Sequence, residues 1–240
     1  VRVMRDQKAT LMVLADTHVG TEEAAAMAAL LQLEGIAMRY TAATVDAETG
    51  AMNAGTMIWW DPRELELRVD VEQREGRQER RERVEEVEAG RILRVELTVV
   101  REQRELVVYG VYMPIRQRAR EAEASWRHLH ERLEREESGR IAVGGDMNAE
   151  TEEWLRRRGR AQRDWTKSDV WMHYVMDSHD MRAMANSATY RAGTQIDNWL
   201  VTTALHERMG ATMSAPGVCG KDHQIVKTTY ISTQREVANR

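Results

Sequence analysis

Short polar clusters stand at strand ends at several points of this 240-residue sequence: Asp16-Thr17-His18, Tyr112 before Pro114, Asp146-Met147-Asn148, Asp197-Asn198 and Asp222-His223. Taken singly, each has a structural explanation. An Asp-x-Asn after an apolar run is usually a turn whose side chains satisfy nearby backbone groups, and an isolated Asp-His pair is usually a surface contact. As a set they supply carboxylates, a carboxamide, a phenol and an imidazole. If the ends of the strands that carry them converge, that is the equipment for metal-assisted attack on a phosphodiester. Carboxylate oxygens hold Mg²⁺, and neutral or cationic donors meet the phosphate oxygens.

The elements that must deliver these groups can be read from apolar periodicity. Thr10–Ala15 is a short buried strand ending at Asp16. Thr21 with Glu22 and Glu23 reads as the capped, acidic start of a helix that runs to Leu33 and stops near Gly35. Met38–Val45 and Thr56–Trp60 read as strands with a turn around 48–50. Arg91–Val100 and Glu105–Tyr112 alternate as paired strands, and Ala119–Glu137 is the clearest amphipathic helix. Arg140–Gly145 is a buried strand that ends at Asp146, and Thr151 caps a short helix to about Arg158. The stretch 164–192 reads as mixed and loop-like. Gln195–Thr202 and Gln224–Ser232 read as strands. Strands outnumber helices and no internal repeat is present, which predicts an α/β fold with largely antiparallel sheets.

Composition bounds the rest. Lys+Arg total 35 against 39 Asp+Glu, a net charge of −4, so bulk charge does not coat nucleic acid and any such contact needs a local basic surface. The 42% apolar content supports a folded core in one domain spanning 1–240. One cysteine, Cys219, excludes a disulfide framework and a cysteine-rich zinc module. No apolar run is long enough to span a bilayer and no signal-peptide core opens the chain, which predicts an intracellular protein without membrane contact. The Glu/Arg-rich stretch at about 62–90 predicts a charged surface insertion, either an exposed hairpin or a solvated helix. Arg156–Arg160 is the densest basic patch. A helix C-terminus favoured by the helix dipole explains it as well as a phosphate contact does. His128 and His130 lie on different helix faces, and His173 and His179 have no partners at ligand spacing, so none reads as a metal ligand.

In order, DTH (16–18), AGTMIWW (54–60), GVYMP (110–114), GGDMNAE (144–150), TQIDNWLV (194–201) and KDHQIV (221–226) resemble the endonuclease/exonuclease/phosphatase superfamily. The nearest likeness is to the endonuclease domains of non-LTR (LINE-type) retrotransposons, in which Asp169-Val170-Trp171 and Thr189-Tyr190 also have counterparts; Met172 stands where that group usually has Arg. The resemblance implies a four-layer α/β sandwich, two mostly antiparallel sheets flanked by helices. It also implies Mg²⁺, or Mn²⁺ in its place, and a DNA substrate, with RNA or a small phosphoester as alternatives. Carried over by position, Asp16 and Asp222 bind metal, Asp146 activates water and Asn148 orients it. Tyr112 donates to phosphate, and Asp197 fixes and charges His223. His18, Asn198 and Lys221 face the substrate. A retrotransposon role further implies the nucleus.

The pattern departs from the family at three places. The family's first strand, with its Asn, has no counterpart before Asp16, which predicts that an upstream segment or another polypeptide completes the sheet. Asp16 replaces a Glu, drawing the carboxylate back by roughly 1.5 Å, one C–C bond. Lys221 replaces a Ser. These departures motivate a second expectation, a degenerate, inactive family member that serves as a structural or interaction module in a larger assembly.

Overall fold

The computed structural model describes residues 2–45, 50–74, 77–185, 187–190, 193–210, 213–216 and 224–227. In chain order the first part contains α1 (Arg2–Gln7), β1 (Leu11–Leu14), α2 (Thr21–Leu33), β2 (Ala37–Thr41), β3 (Thr44–Val45), β4 (Met52–Asn53) and β5 (Thr56–Trp60). The middle contains β6 (Leu65–Leu67), β7 (Val69–Arg74), β8 (Arg77–Glu82), β9 (Val84–Glu88), β10 (Ile92–Val99), β11 (Arg104–Tyr112) and α3 (Ala119–Leu133). The last part contains β12 (Ile141–Asp146), α4 (Glu152–Arg157), α5 (Lys167–Ser178), β13 (Met181–Ala183), β14 (Asp197–Thr202), α6 (Thr203–His206), β15 (Met213–Pro216) and β16 (Gln224–Lys227).

Period-2 burial stacks these elements into four layers. In β11, Val107, Tyr109 and Val111 pack with Trp126, Leu129 and Leu133 of α3 and with Met172 and Val175 of α5. The alternate residues Leu106 and Val108 pack the opposite way, with Ile58 and Trp60 of β5. The far face of β5 turns Met57 toward Met12, Met38, and Ala24 and Leu31 of α2. The order is therefore helices, small sheet, large sheet, helices. Among the described residues the small sheet runs β1-β5-β2 and the large one β13-β14-β12-β11-β10-β6, with β9 also paired to β10. Every ladder of the large sheet is antiparallel except β11–β12. The two sheets meet closely at Gly110, where a Cβ would lie 2.8 Å from Thr56 Cγ2. No described helix is long and apolar enough to cross a membrane.

Several boundaries differ from the sequence expectation for local reasons. Gly20, not Thr21, is the N-cap of α2, and its N–H donates to Glu23 Oε2 at 3.3 Å. That helix ends in a Schellman motif: the Ile36 N–H reaches Leu31 O and the Gly35 N–H reaches Gln32 O, with Gly35 at φ 74. The strand expected over 38–45 breaks at Ala43, whose N–H leaves the ladder for Val19 O. α3 stops at Leu133, four residues early. Glu136 folds back instead onto buried Arg94 and the Tyr109 hydroxyl.

The charged insertion is a hairpin rather than a helix, β7 pairing with β8 from Val69↔Glu82 to Arg74↔Arg77. The stretch expected to be loop-like holds α5, whose capping box joins Thr166 and Asp169: the Asp169 N–H donates to Thr166 Oγ1, and the Thr166 N–H to Asp169 Oδ2. β15, pairing with β16, was also not expected from the sequence.

Candidate active site

Three neighbouring strands of the large sheet end in register. Tyr112 closes β11 opposite Asp146 of β12, and Asp146 is opposite Asp197 of β14. Alternation decides which way they point. Leu106 and Val108, Ala142, and Val201 face the small sheet, so the same phase along each strand sends Tyr112, Asp146 and Asp197 to that side. Asp16 arrives there from the small sheet, just past β1, close enough that its negative charge acts on the Tyr112 phenol.

Local backbone geometry presents these groups. Asp16 and His18 both have positive φ, 53° each, and the loop between them is pinned by Thr17 N–H to Gly55 O and His18 N–H to Ala54 O. Gly145, at φ 137°, precedes Asp146; a Cβ there would lie 2.0 Å from Val111 O, so only glycine fits. Asp146 Oδ1 accepts the Asn148 N–H at 2.9 Å, and Asn148 Nδ2 donates to Met113 O at 2.8 Å. These two bonds tie the turn after β12 to the segment after β11. The Asp197 N–H donates to the hydroxyl of fully buried Thr189 at 2.9 Å.

Burial raises the Tyr112 phenol well above its ordinary value, and the negative charges of Asp16 and Asp146 push it further in the same direction. Tyr112 is thus a neutral O–H donor across the physiological range. His18 Nε2 lies 2.8 Å from Asp16 Oδ1, with the Asp16 side chain 40% exposed. Among the described residues no group of three His, Cys, Asp or Glu side chains is arranged to hold a metal ion. The donors still suit a hard cation that keeps most of its water, since Mg²⁺ is commonly held by one or two carboxylates together with substrate phosphate.

The structure therefore brings Asp16, His18, Tyr112, Asp146, Asn148 and Asp197 to one end of the sandwich. Lys221, Asp222 and His223 lie outside the described residues. Asn198 takes the opposite phase from Asp197. It is buried, and its Oδ1 accepts the N–H groups of Met184 and Ala185, so it braces the approach to β14. Asp169 is likewise internal, holding the Glu150 N–H at 2.7 Å as well as capping α5. His130 and His179, unpaired in the sequence reading, meet across α3 and α5 with Nδ1 and Nε2 2.9 Å apart. Sequence reasoning gave Glu150 no role. It is 1% exposed and engages both Arg116 and Arg158; a charged residue at the end of the GGDMNAE run was the available signal.

The family model for the Endonuclease/Exonuclease/phosphatase family matches residues 1–235. Among solved structures the chain is similar to the AP endonuclease LMAP from Leishmania major, with TM-score 0.68 and 14% identity over 95% of this chain and 80% of that one. It is similar to the 3′-5′ exonuclease NExo from Neisseria meningitidis, with TM-score 0.66 and 15% identity over 96% and 93%. A third similar structure is the endonuclease domain of TRAS1, a telomere-specific non-LTR retrotransposon, with TM-score 0.56 and 15% identity over 92% and 98%. No curated protein sequence matches this chain significantly. With the family model covering nearly the whole sequence and the four-layer sandwich in place, the chain belongs to the Endonuclease/Exonuclease/phosphatase family.

Proposed function

We propose that this protein is a Mg²⁺-dependent phosphodiesterase acting on nucleic acid, as a DNA-nicking endonuclease of the retrotransposon type. The observation that carries this reading is the in-register alignment of Tyr112, Asp146 and Asp197 facing Asp16 across the end of the sandwich. Asp146 takes a proton from the attacking water, and its bond from the Asn148 N–H holds the carboxylate in place. The Asn148 carboxamide orients water and phosphate. Tyr112, kept neutral by burial and by the charges of Asp16 and Asp146, donates its O–H to a phosphate oxygen as charge builds there. Asp197 is the partner for His223, fixing its tautomer. Asp16 and Asp222 are the residues that would hold Mg²⁺, with Mn²⁺ as a substitute. The bound ion would supply charge neutralisation at the phosphate. Water adds at phosphorus as the P–O3′ bond breaks, and the departing 3′-oxygen takes a proton from solvent while Asp146 returns its own to solvent, leaving a 3′-hydroxyl and a 5′-phosphate. A retrotransposon role would place this reaction in the nucleus.

The test is nicking of supercoiled plasmid with and without Mg²⁺. Cleavage that is lost on chelation and in Asp146→Ala supports the reading. A preparation that binds DNA yet cuts neither DNA nor RNA under Mg²⁺ or Mn²⁺ overturns it.

One observation favours a second reading, that of an inactive module. The Asp16 carboxylate expected to meet metal is already engaged by His18. On that reading, Mg²⁺ titration leaves the melting temperature unchanged.

A further inference from the structure

Arg156, Arg157 and Arg158 are consecutive, yet the structure uses them differently. Arg156 and Arg157 each pair with a glutamate one turn earlier, Glu152 and Glu153, on the exposed face of α4. Arg158 instead reaches inward to Glu150, whose Oε1 accepts its Nη1 at 2.7 Å; the other oxygen of that carboxylate accepts Arg116 Nη2 at 2.8 Å. Glu150 is 1% exposed, whereas the arginine side chains are 36% and 33% exposed.

One buried carboxylate requires one cation, and here it has two. Neither guanidinium has a second acidic partner among the described residues, so the cluster carries a net positive charge. Each arginine spends one N–H on Glu150 and keeps the rest of a planar fork for an outside acceptor. The base of the cluster is rigid, because the Glu150 N–H is held by Asp169 Oδ1 at 2.7 Å. Its place in the fold is set by the same two segments that build the proposed centre. Glu150 is two residues beyond Asn148, and Arg116 is three beyond Met113, whose carbonyl Asn148 grips. The neighbouring centre is rich in carboxylates and the chain is negative overall. A polyanion approaching it needs a local cationic grip.

We infer that Arg116 and Arg158, held side by side by the buried Glu150 carboxylate, bind backbone phosphate of the nucleic acid next to the Asp146–Asn148 centre. This rests on the phosphodiesterase reading for its substrate. The two arginines touch the phosphate, and Glu150 is a positioning residue that acts through them.

The experiment is binding of a fluorescent DNA duplex by anisotropy in EDTA across 50–200 mM salt, for the wild type and variants whose folding is checked by melting. Arg116→Ala and Arg158→Ala should each weaken binding several-fold at low salt and flatten the log K against log salt slope by about 0.9. Arg116→Lys with Arg158→Lys should keep the slope but not the low-salt affinity, since charge remains and the fork is lost. Glu150→Gln removes a negative charge yet should weaken binding, because the guanidiniums are no longer aligned; tighter binding would overturn the positioning role. In nicking assays the Arg→Ala variants should raise KM by more than they lower kcat.

Unchanged slopes and KM in both Arg→Ala variants, or a wild type without salt-dependent DNA binding, overturn the inference. Because binding is read without metal, a wild type that binds through these arginines but never cuts overturns only the catalytic reading. One that cuts with a slope independent of both arginines overturns only this one.

Discussion

Asp146 and Asp197 are register partners on adjacent antiparallel strands, so two carboxylates from positions far apart in sequence stand side by side at one sheet edge, next to the Tyr112 phenol. Each has its own backbone support: Asp146 holds the Asn148 N–H, and the Asp197 N–H is held by Thr189. The pair can therefore be dissected one residue at a time.

Asp146→Asn keeps the size of the side chain and an oxygen for the Asn148 N–H but removes the base. Plasmid nicking should fall about 10²–10⁴-fold, the usual contribution of a positioned base, with the melting temperature little changed. Retention of more than a tenth of wild-type nicking would remove Asp146 from the mechanism.

Tyr112→Phe removes one donor to the phosphate. The expected loss in kcat is about 10²–10³-fold, as for a single oxyanion donor. Because burial and the charges of Asp16 and Asp146 hold the phenol above its ordinary value, wild type and variant should share the same pH–rate shape up to about pH 10. A wild-type alkaline limb below that point that disappears in the variant would contradict a neutral Tyr112.

Gly145→Ala tests the backbone. With φ at 137° and Val111 O only 2.0 Å from the new Cβ, the β11–β12 ladder must shift at Asp146. The cost should be about 1–3 kcal/mol or more, measurable by urea unfolding, with nicking lost alongside. A variant as stable and active as wild type would contradict this geometry.

His130 and His179 predict an acid-sensitive seam between α3 and α5. The His179 imidazole is held below its ordinary 6.5 by burial and then by His130. The unfolded chain thus takes up a proton near pH 6.5 that the folded one resists. Stability should be full above that value and should fall as pH drops below it, toward the depressed value. His179→Gln should flatten the melting-temperature slope between about pH 5 and 6.5. An unchanged slope would assign the acid loss to other groups.

Much of the scaffold was legible because strands of a sheet covered on both faces appear in the sequence as short apolar runs, continuous or alternating. β10 and β11 were legible by alternation, β1 as a continuous apolar run and β12 and β14 as short strands, and with them the positions of Asp16, Tyr112, Asp146 and Asp197 at strand ends. α5 was missed because its apolar residues are spread through a polar stretch. Its start was nevertheless encoded locally by Thr166 and Asp169.

Residue types and local periodicity determined which groups end each strand. Only the tertiary structure decided that Tyr112, Asp146 and Asp197 share one register, that Asn198 turns to the opposite face as a brace, and that Arg158 leaves its basic neighbours for Glu150. Strand pairing and the choice among nearby ion-pair partners depend on which distant segments pack together, and no local pattern of side chains carries that information.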